Sequence, residues 1–222
     1  MRSTLAAIGF GLLLAACTQQ HVPERLPNAA GLVRLPCGDA VLRPVNPFYC
    51  DHRRNYVTPA ALSVMTDASR AMSTRYPGFV LWYMDASGQD GHRPFPPHLS
   101  HGDGREVDVA LVYDDRGGRP LDRPPTPSGY HANINPRPGD PLPCKGVAGP
   151  FRTPDVAGDP PWRLDEARTR TLVQTLTADR RVRRLFLEPH LKLRLGLASD
   201  AKVHFQGCWA ARHDDHIHVD VF

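Results

Sequence analysis

The chain reads as an α+β domain: a small central antiparallel sheet flanked by helices and long loops. Three observations point there. Two runs, Glu106-Val107-Asp108-Val109-Ala110-Leu111 and His216-Ile217-His218-Val219-Asp220-Val221, alternate apolar and polar residues with the period of two expected of a strand with unlike faces. Two other stretches, one after Thr58 and one after Leu164, repeat apolar residues at helical spacing. A third stretch, 119–162, is rich in proline and glycine with little periodicity, and a loop of that length in a compact domain is usually functional or disordered.

At the N-terminus, Met1-Arg2 and the apolar run from Leu5 to Ala16 have the charged start and short apolar core of a secretory signal, too short to span a bilayer. Leu14-Ala15-Ala16-Cys17 resembles the bacterial lipoprotein box, which implies lipidation of Cys17 after cleavage. The absence of an aspartate in the following Thr18-Gln19 implies a periplasmic protein anchored to the outer membrane. Residues 18–36 are polar with scattered prolines and read as a tether, leaving 37–222 as one domain of ample size for a core. The net charge of +4 gives mild attraction to anionic polymers such as cell wall and does not call for nucleic acid.

Export changes the meaning of the remaining cysteines, Cys37, Cys50, Cys144 and Cys208. An even number in an oxidising compartment predicts two disulfides with three possible connectivities. Proximity and loop-rich surroundings favour Cys37 with Cys50 and Cys144 with Cys208. A four-cysteine zinc site is disfavoured by the lack of any Cys-x2-Cys pair.

Thr58-Pro59 supplies an N-cap and a pre-set first helical residue, and Ala61, Val64, Met65, Ala68 and Met72 form the apolar stripe of a helix ending at Tyr76-Pro77-Gly78. Phe79 to Met84 reads as a buried strand. The segment from Asp90 to Ser100, with His92 and His98, leads into the strand through Asp108, which runs to Tyr113 and turns at Asp114-Asp115-Arg116-Gly117-Gly118. The 119–162 loop is expected to wall a cleft; Tyr130, His131, Asn133 and Asn135 are candidates for polar contacts there, although for each alone a place on the surface loop is the better reading. Leu164-Asp165-Glu166-Ala167 opens the second helix, with acidic residues in its first turn. Arg180, Arg181, Arg183 and Arg184 follow as a solvated basic cluster, then a strand over Leu185-Phe186-Leu187 and a short helix from Glu188-Pro189 to Leu195, stopped by Gly196. His190 and His204 read as structural or exposed, and Trp209 as a residue flanking the cleft.

The C-terminal run concentrates the chemistry. In it, Ile217, Val219 and Val221 share one face, and His216, His218 and Asp220 the other. Upstream, Val107, Val109 and Leu111 lie opposite Glu106 and Asp108. If the two strands pair, Asp108 and the two histidines converge, with His101 delivered by the loop through Gly102 and Gly104. Two imidazole nitrogens, one carboxylate oxygen and a fourth position open to water describe a catalytic rather than a structural zinc site. Such a site lowers the pKa of water toward ~7 and polarises a carbonyl.

His101-x2-Gly104-x3-Asp108 together with His216-Ile217-His218 resembles the signature of the zinc metallopeptidases grouped with lysostaphin, D-alanyl-D-alanine peptidases and the hedgehog signalling domain. The form in which His213 precedes the pair, with Asp214-Asp215 between, is similar to that of the penicillin-insensitive murein endopeptidases. The resemblance implies that His101, Asp108 and His218 are the zinc ligands, and that of the two upstream histidines it is His101 rather than His98 that binds. It implies that His216 stands beside the metal as general base or oxyanion stabiliser, and that His213 is a further active-site residue. In an unbroken strand His213 would face away from His216, so either the strand begins after Asp215 or His213 is outside the site. Asp214 and Asp215 are candidates to fix an imidazole tautomer, although one of them would serve equally to cap the turn.

By the same resemblance the substrate is peptidoglycan, and the reaction is hydrolysis of D-alanyl to meso-diaminopimelate cross-links by metal-activated water. Two alternatives stand beside it: a D,D- or L,D-carboxypeptidase acting on stem peptides, and a non-catalytic cell-wall-binding lipoprotein on the same fold. A serine hydrolase built on Ser100 lacks a Gly-x-Ser-x-Gly elbow.

Overall fold

The most apolar alternating face of the chain, Ile217, Val219 and Val221, is fully buried, and its strand occupies the interior of the sheet. The structure is a computed structural model that describes residues 26–91, 100–147 and 149–222. The signal segment with Cys17, the first part of the tether, His92 and His98 lie outside those residues.

In chain order the elements are β1 (Val33–Arg34), β2 (Leu42–Pro44), α1 (Phe48–Asp51), β3 (Tyr56–Val57), α2 (Pro59–Arg75), β4 (Leu81–Tyr83) and β5 (Glu106–Ala110). They continue with β6 (Tyr113–Asp115), β7 (Trp162–Leu164), α3 (Glu166–Ala178), β8 (Val182–Phe186), α4 (Pro189–Arg194), β9 (Val203–His204) and β10 (His216–Val221). The class is α+β. The main sheet has six strands in the order β2-β4-β5-β10-β8-β9. Its four inner strands are antiparallel neighbours, and the edge strands β2 and β9 join in parallel, so the sheet is larger and more mixed than the sequence suggested.

Register fixes the site. β10 pairs with β5 so that His218 stands opposite Asp108, Ile217 opposite Val109 and Val219 opposite Val107. A slip by one residue would turn the histidines into the core and the isoleucine and valines out of it. Burial of Val107, Val109, Ile217, Val219 and Val221 opposes that slip, at about 1.5–3 kcal/mol for each fully buried aliphatic side chain. Helices α2 and α3 pack beside each other, and their apolar stripes join the same core cluster. Thr58 caps α2 by accepting from the Ala61 N–H, and Asp165 caps α3 by accepting from the Arg168 N–H.

Several boundaries differ from expectation. The tether is not free up to residue 36: β1 pairs with β3, and Leu32, Val33 and Leu35 are buried, because this short apolar run covers core that the polar composition around it conceals. The strand through Asp108 ends at Ala110, and the chain moves into a second small sheet, β6 with β7, instead of running on to Tyr113. Two arginines of the basic cluster lie within β8, and three of the four are paired: Arg183 and Arg184 with Asp220, and Arg181 with Asp67 and Asp179. Disulfides join Cys37 to Cys50 and Cys144 to Cys208. Among the described residues no helix is long and apolar enough to cross a membrane.

Candidate metal centre

The loop that carries His101 is tied down on both sides. Gly104 donates its N–H to Ser87 Oγ at 2.7 Å, and its carbonyl accepts from the Thr58 N–H at 2.8 Å. Gly104 has φ +79°, and a Cβ there would stand 2.4 Å from Leu32 Cδ2, so only glycine fits this approach. His101 itself has φ +69°, an uncommon backbone state for a residue with a side chain, and is fully buried.

Asp108 is the hub. Its Oδ1 lies 3.3 Å from His101 Nε2 and accepts from His218 Nδ1 at 2.9 Å, and one ligand atom from each of the three residues falls within 4.8 Å of the others. Metal bonds of 2.0–2.2 Å in a tetrahedron set donor atoms about 3.3 Å apart. His101 and Asp108 match that separation, the His218 nitrogen stands 2.9 Å from the same carboxylate oxygen, and all three ligand atoms lie within 4.8 Å of one another. Two imidazoles with one carboxylate suit a borderline cation such as zinc. The three residues therefore fit a metal ion, while its identity rests on chemistry alone.

Around this group lies a second layer of titratable side chains. His216 projects its Nε2 toward Asp108 Oδ2 at 3.8 Å and hydrogen-bonds Asp215 through Nδ1. β10 begins at His216, so the chain is free to turn before it, and the His213 ring packs 4.7 Å from that of His216 and 5.8 Å from that of His218. This resolves the alternative left by the sequence: the strand starts after Asp215, and His213 is beside the centre. Of the paired carboxylates, Asp215 holds His216, whereas Asp214 is occupied by Arg212 and by Asn133, at 2.6 Å, and touches none of the clustered histidines. Asp214 therefore does not take the tautomer-fixing role that was open to it. Its backbone contributes instead, since its carbonyl accepts from the Ile134 N–H at 2.8 Å.

Charge and burial act against each other throughout. Burial opposes charge on His216, yet Asp108 and Asp215 outweigh it and bring the group up to about 9. The same contest raises His101, chiefly through Asp108. Burial, with His216 and His218 nearby, holds His213 well below the usual imidazole range, and burial also lowers His218. For Asp108 burial favours the neutral acid, but His101 and His216 outweigh it and keep the carboxylate ionised.

The centre opens on a cleft of about 670 Å³. One wall comes from Pro150 to Pro154 of the long loop, another from Gln206 and Ala210 to Arg212, and Phe48, Tyr49 and Arg54 close a third side. The long loop is thus a cleft wall, and the Cys144–Cys208 bond ties two of the walls together. Of its polar candidates, Tyr130 and His131 reach the cleft. Asn133 braces Asp214, and Asn135 is occupied by the backbone of Val156. Trp209 is 71% exposed and does not line the cleft. His190 is buried against the Ile134 carbonyl at 2.7 Å, and His204 is exposed.

Sequence reasoning missed Arg54 and Asp85, and the contact that Tyr130 makes with the centre. Tyr130 donates to Asp108 Oδ2 at 2.6 Å, and burial followed by Asp108 holds its phenol well above the usual range, so it stays a neutral donor. Asp85 follows β4 with no motif spacing to announce it, and only the β4–β5 contact brings it there. Comparison with known proteins finds no matching family model and no matching curated protein.

Proposed function

We propose that the protein is a zinc-dependent peptidoglycan hydrolase that cleaves the peptide cross-links of murein, of the D-alanyl to meso-diaminopimelate type. The observation that carries this reading is the meeting of His101, Asp108 and His218, with Asp108 and His218 lining a cleft, His101 buried behind them and His216 oriented by Asp215 beside them. The motif resemblance of these same residues to murein endopeptidases supplies the substrate class.

His101, Asp108 and His218 would hold the ion, and the chemistry it supplies when bound is Lewis-acid activation of water and of a peptide carbonyl near neutral pH. Asp215 accepts a hydrogen bond from His216 Nδ1–H, which leaves Nε2, facing the centre, to accept a proton from the attacking water. In the metal-free protein Asp108 and Asp215 bring His216 up to about 9; with a dication held by His101, Asp108 and His218, His216 would be favoured in its neutral, basic form. His216 then returns the proton to the departing amine. His213, kept neutral by burial, is placed to donate a ring N–H to the oxyanion that develops on the carbonyl. The cleft, with a volume of about 670 Å³, gives room for a peptide segment beside these groups.

The reading places the protein in the periplasm, lipid-anchored through Cys17 near its substrate. Digestion of intact sacculi and of a soluble stem pentapeptide tests it. Conversion of cross-linked dimers to monomers, abolished by a chelator, is the expected result. Release of D-alanine from the pentapeptide alone would make the enzyme a carboxypeptidase, and binding to sacculi without any cleavage would make it a wall-binding protein.

A further inference from the structure

We propose that Tyr130 is a positioning residue of the metal centre, which occupies one oxygen of Asp108 and so restricts that carboxylate to a single donor oxygen toward the cation. This rests on the reading of the centre as a metal site.

The two oxygens of Asp108 have different surroundings. Oδ1 faces two of the histidines, at 3.3 Å from His101 Nε2 and 2.9 Å from His218 Nδ1, whereas His216 Nε2 stands 3.8 Å from Oδ2, beyond hydrogen-bond distance. Oδ2 accepts the Tyr130 hydroxyl at 2.6 Å, the length of a strong bond to an ionised acceptor. The hydroxyl also stands 3.2 Å from Asp85 Oδ2, between two carboxylates. It carries one proton, and the shorter contact assigns that proton to Asp108. Two carboxylates are tolerated around one phenol because each has its own cation: Arg54 Nε lies 2.5 Å from Asp85 Oδ1, and Asp108 faces the imidazoles. The Asp108 N–H donates to the Asp85 carbonyl at 2.8 Å, so β5 and the residue after β4 are also joined through the backbone at this point.

Tyr130 is itself fixed. Its ring meets the His216 ring edge-on at 5.1 Å, and the next residue, His131, holds φ +68° with its N–H donated to Asp215 Oδ2 at 2.6 Å. One segment thus braces the ligand Asp108 through a side chain and Asp215 through the backbone. With Oδ2 engaged, a cation meets Oδ1 alone, and the carboxylate cannot swing to chelate it with both oxygens. Groups that orient a ligand in this way typically change metal affinity 10–100-fold.

The test compares the wild-type domain with Tyr130→Phe, which keeps the ring and removes only the hydroxyl. Zinc affinity is measured by competition with a chromogenic chelator, and the visible spectrum is recorded after cobalt substitution. The expected result is a zinc affinity about 10–100-fold weaker in the variant, with the intense bands of a four-coordinate wild-type cobalt site giving way to the weaker bands of higher coordination. Equal affinity and identical spectra overturn the inference and leave the metal site standing. A loss of turnover with affinity and spectrum unchanged also overturns it, because Tyr130 would then act on the substrate. A wild type that binds no metal overturns both this inference and the proposed function. Should the variant not fold, the wild-type spectrum decides: weak five- or six-coordinate bands contradict a single-oxygen Asp108.

Discussion

At the scale of single residues, the centre is an exercise in compensated burial. His101, Asp108, His213, His216 and His218 are all shielded from water, and each charge among them is held by a neighbour rather than by solvent. That arrangement has a sign in the metal-free protein. His216 is raised in the folded state to about 9, and His101 is raised as well, so between pH 6.5 and 9 the folded chain binds more protons than the unfolded one. Stability from His216 is complete below about pH 6.5 and is lost as pH rises through about 9, and the raised His101 acts in the same direction. His213 and His218 are lowered, and their contribution changes only below pH 6.5. Denaturant unfolding of the metal-free domain is therefore expected to show stability falling from pH 6.5 to 9, and Asp215→Asn is expected to flatten that fall. A stability that rises over the same interval would contradict the assignment. In the zinc-loaded protein, Asp215→Asn would leave His216 without the carboxylate hydrogen-bonded to its Nδ1. Cleavage of cross-links is expected to fall about 10–100-fold with zinc content unchanged; loss of zinc along with activity would instead make Asp215 part of the metal-binding framework.

At the scale of elements, β10 does two jobs with one alternation, and the core half of the pattern secures the polar half. Ile217 is fully buried and lies opposite Val109 in register. Ile217→Ala is expected to cost about 2–5 kcal/mol in unfolding free energy and to weaken zinc binding as well, since His216 and His218 flank it on the same strand. A variant equally destabilised at Leu176, on α3 and away from the centre, should keep its zinc affinity; if both lose it alike, the strand is not what orders the ligands. Elements also show what a sequence can disclose. The period-two runs of β5 and β10, the cap at Thr58, and the pairing of nearby cysteines are local signals, and the structure agrees with them. The two-residue strands β1, β3 and β9 have no period to read, because only long-range pairing defines them. The ligand cluster was legible because alternation and motif order both pointed at it. Tyr130 and Asp85 were not, because a proline-rich loop and a strand end carry no spacing that predicts where the chain returns.

At the scale of the whole molecule, the cleft is assembled from segments far apart in sequence and held by few covalent links. The Cys144–Cys208 bond closes a separation of 64 residues and binds the long loop to the segment that leads into His213. The chain-entropy model assigns such a link about 4 kcal/mol. Replacing both cysteines by serine is expected to lower the unfolding free energy by up to that amount. Zinc content should be retained, since the ligands sit on the sheet and its adjoining loop, while cleavage of sacculi falls as the walls separate. Retained cleavage with lost stability would show that the walls do not need the tie.

The central claim is that His101, Asp108 and His218 form a zinc site, and metal content tests it most directly. The domain lacking residues 1–17 is purified with its disulfides intact, as wild type and as His218→Ala, supplied with zinc, and freed of unbound metal. The account predicts about one zinc per chain in the wild type and a near-complete loss in the variant. A wild type without stoichiometric metal, or a variant that keeps it, would contradict the account.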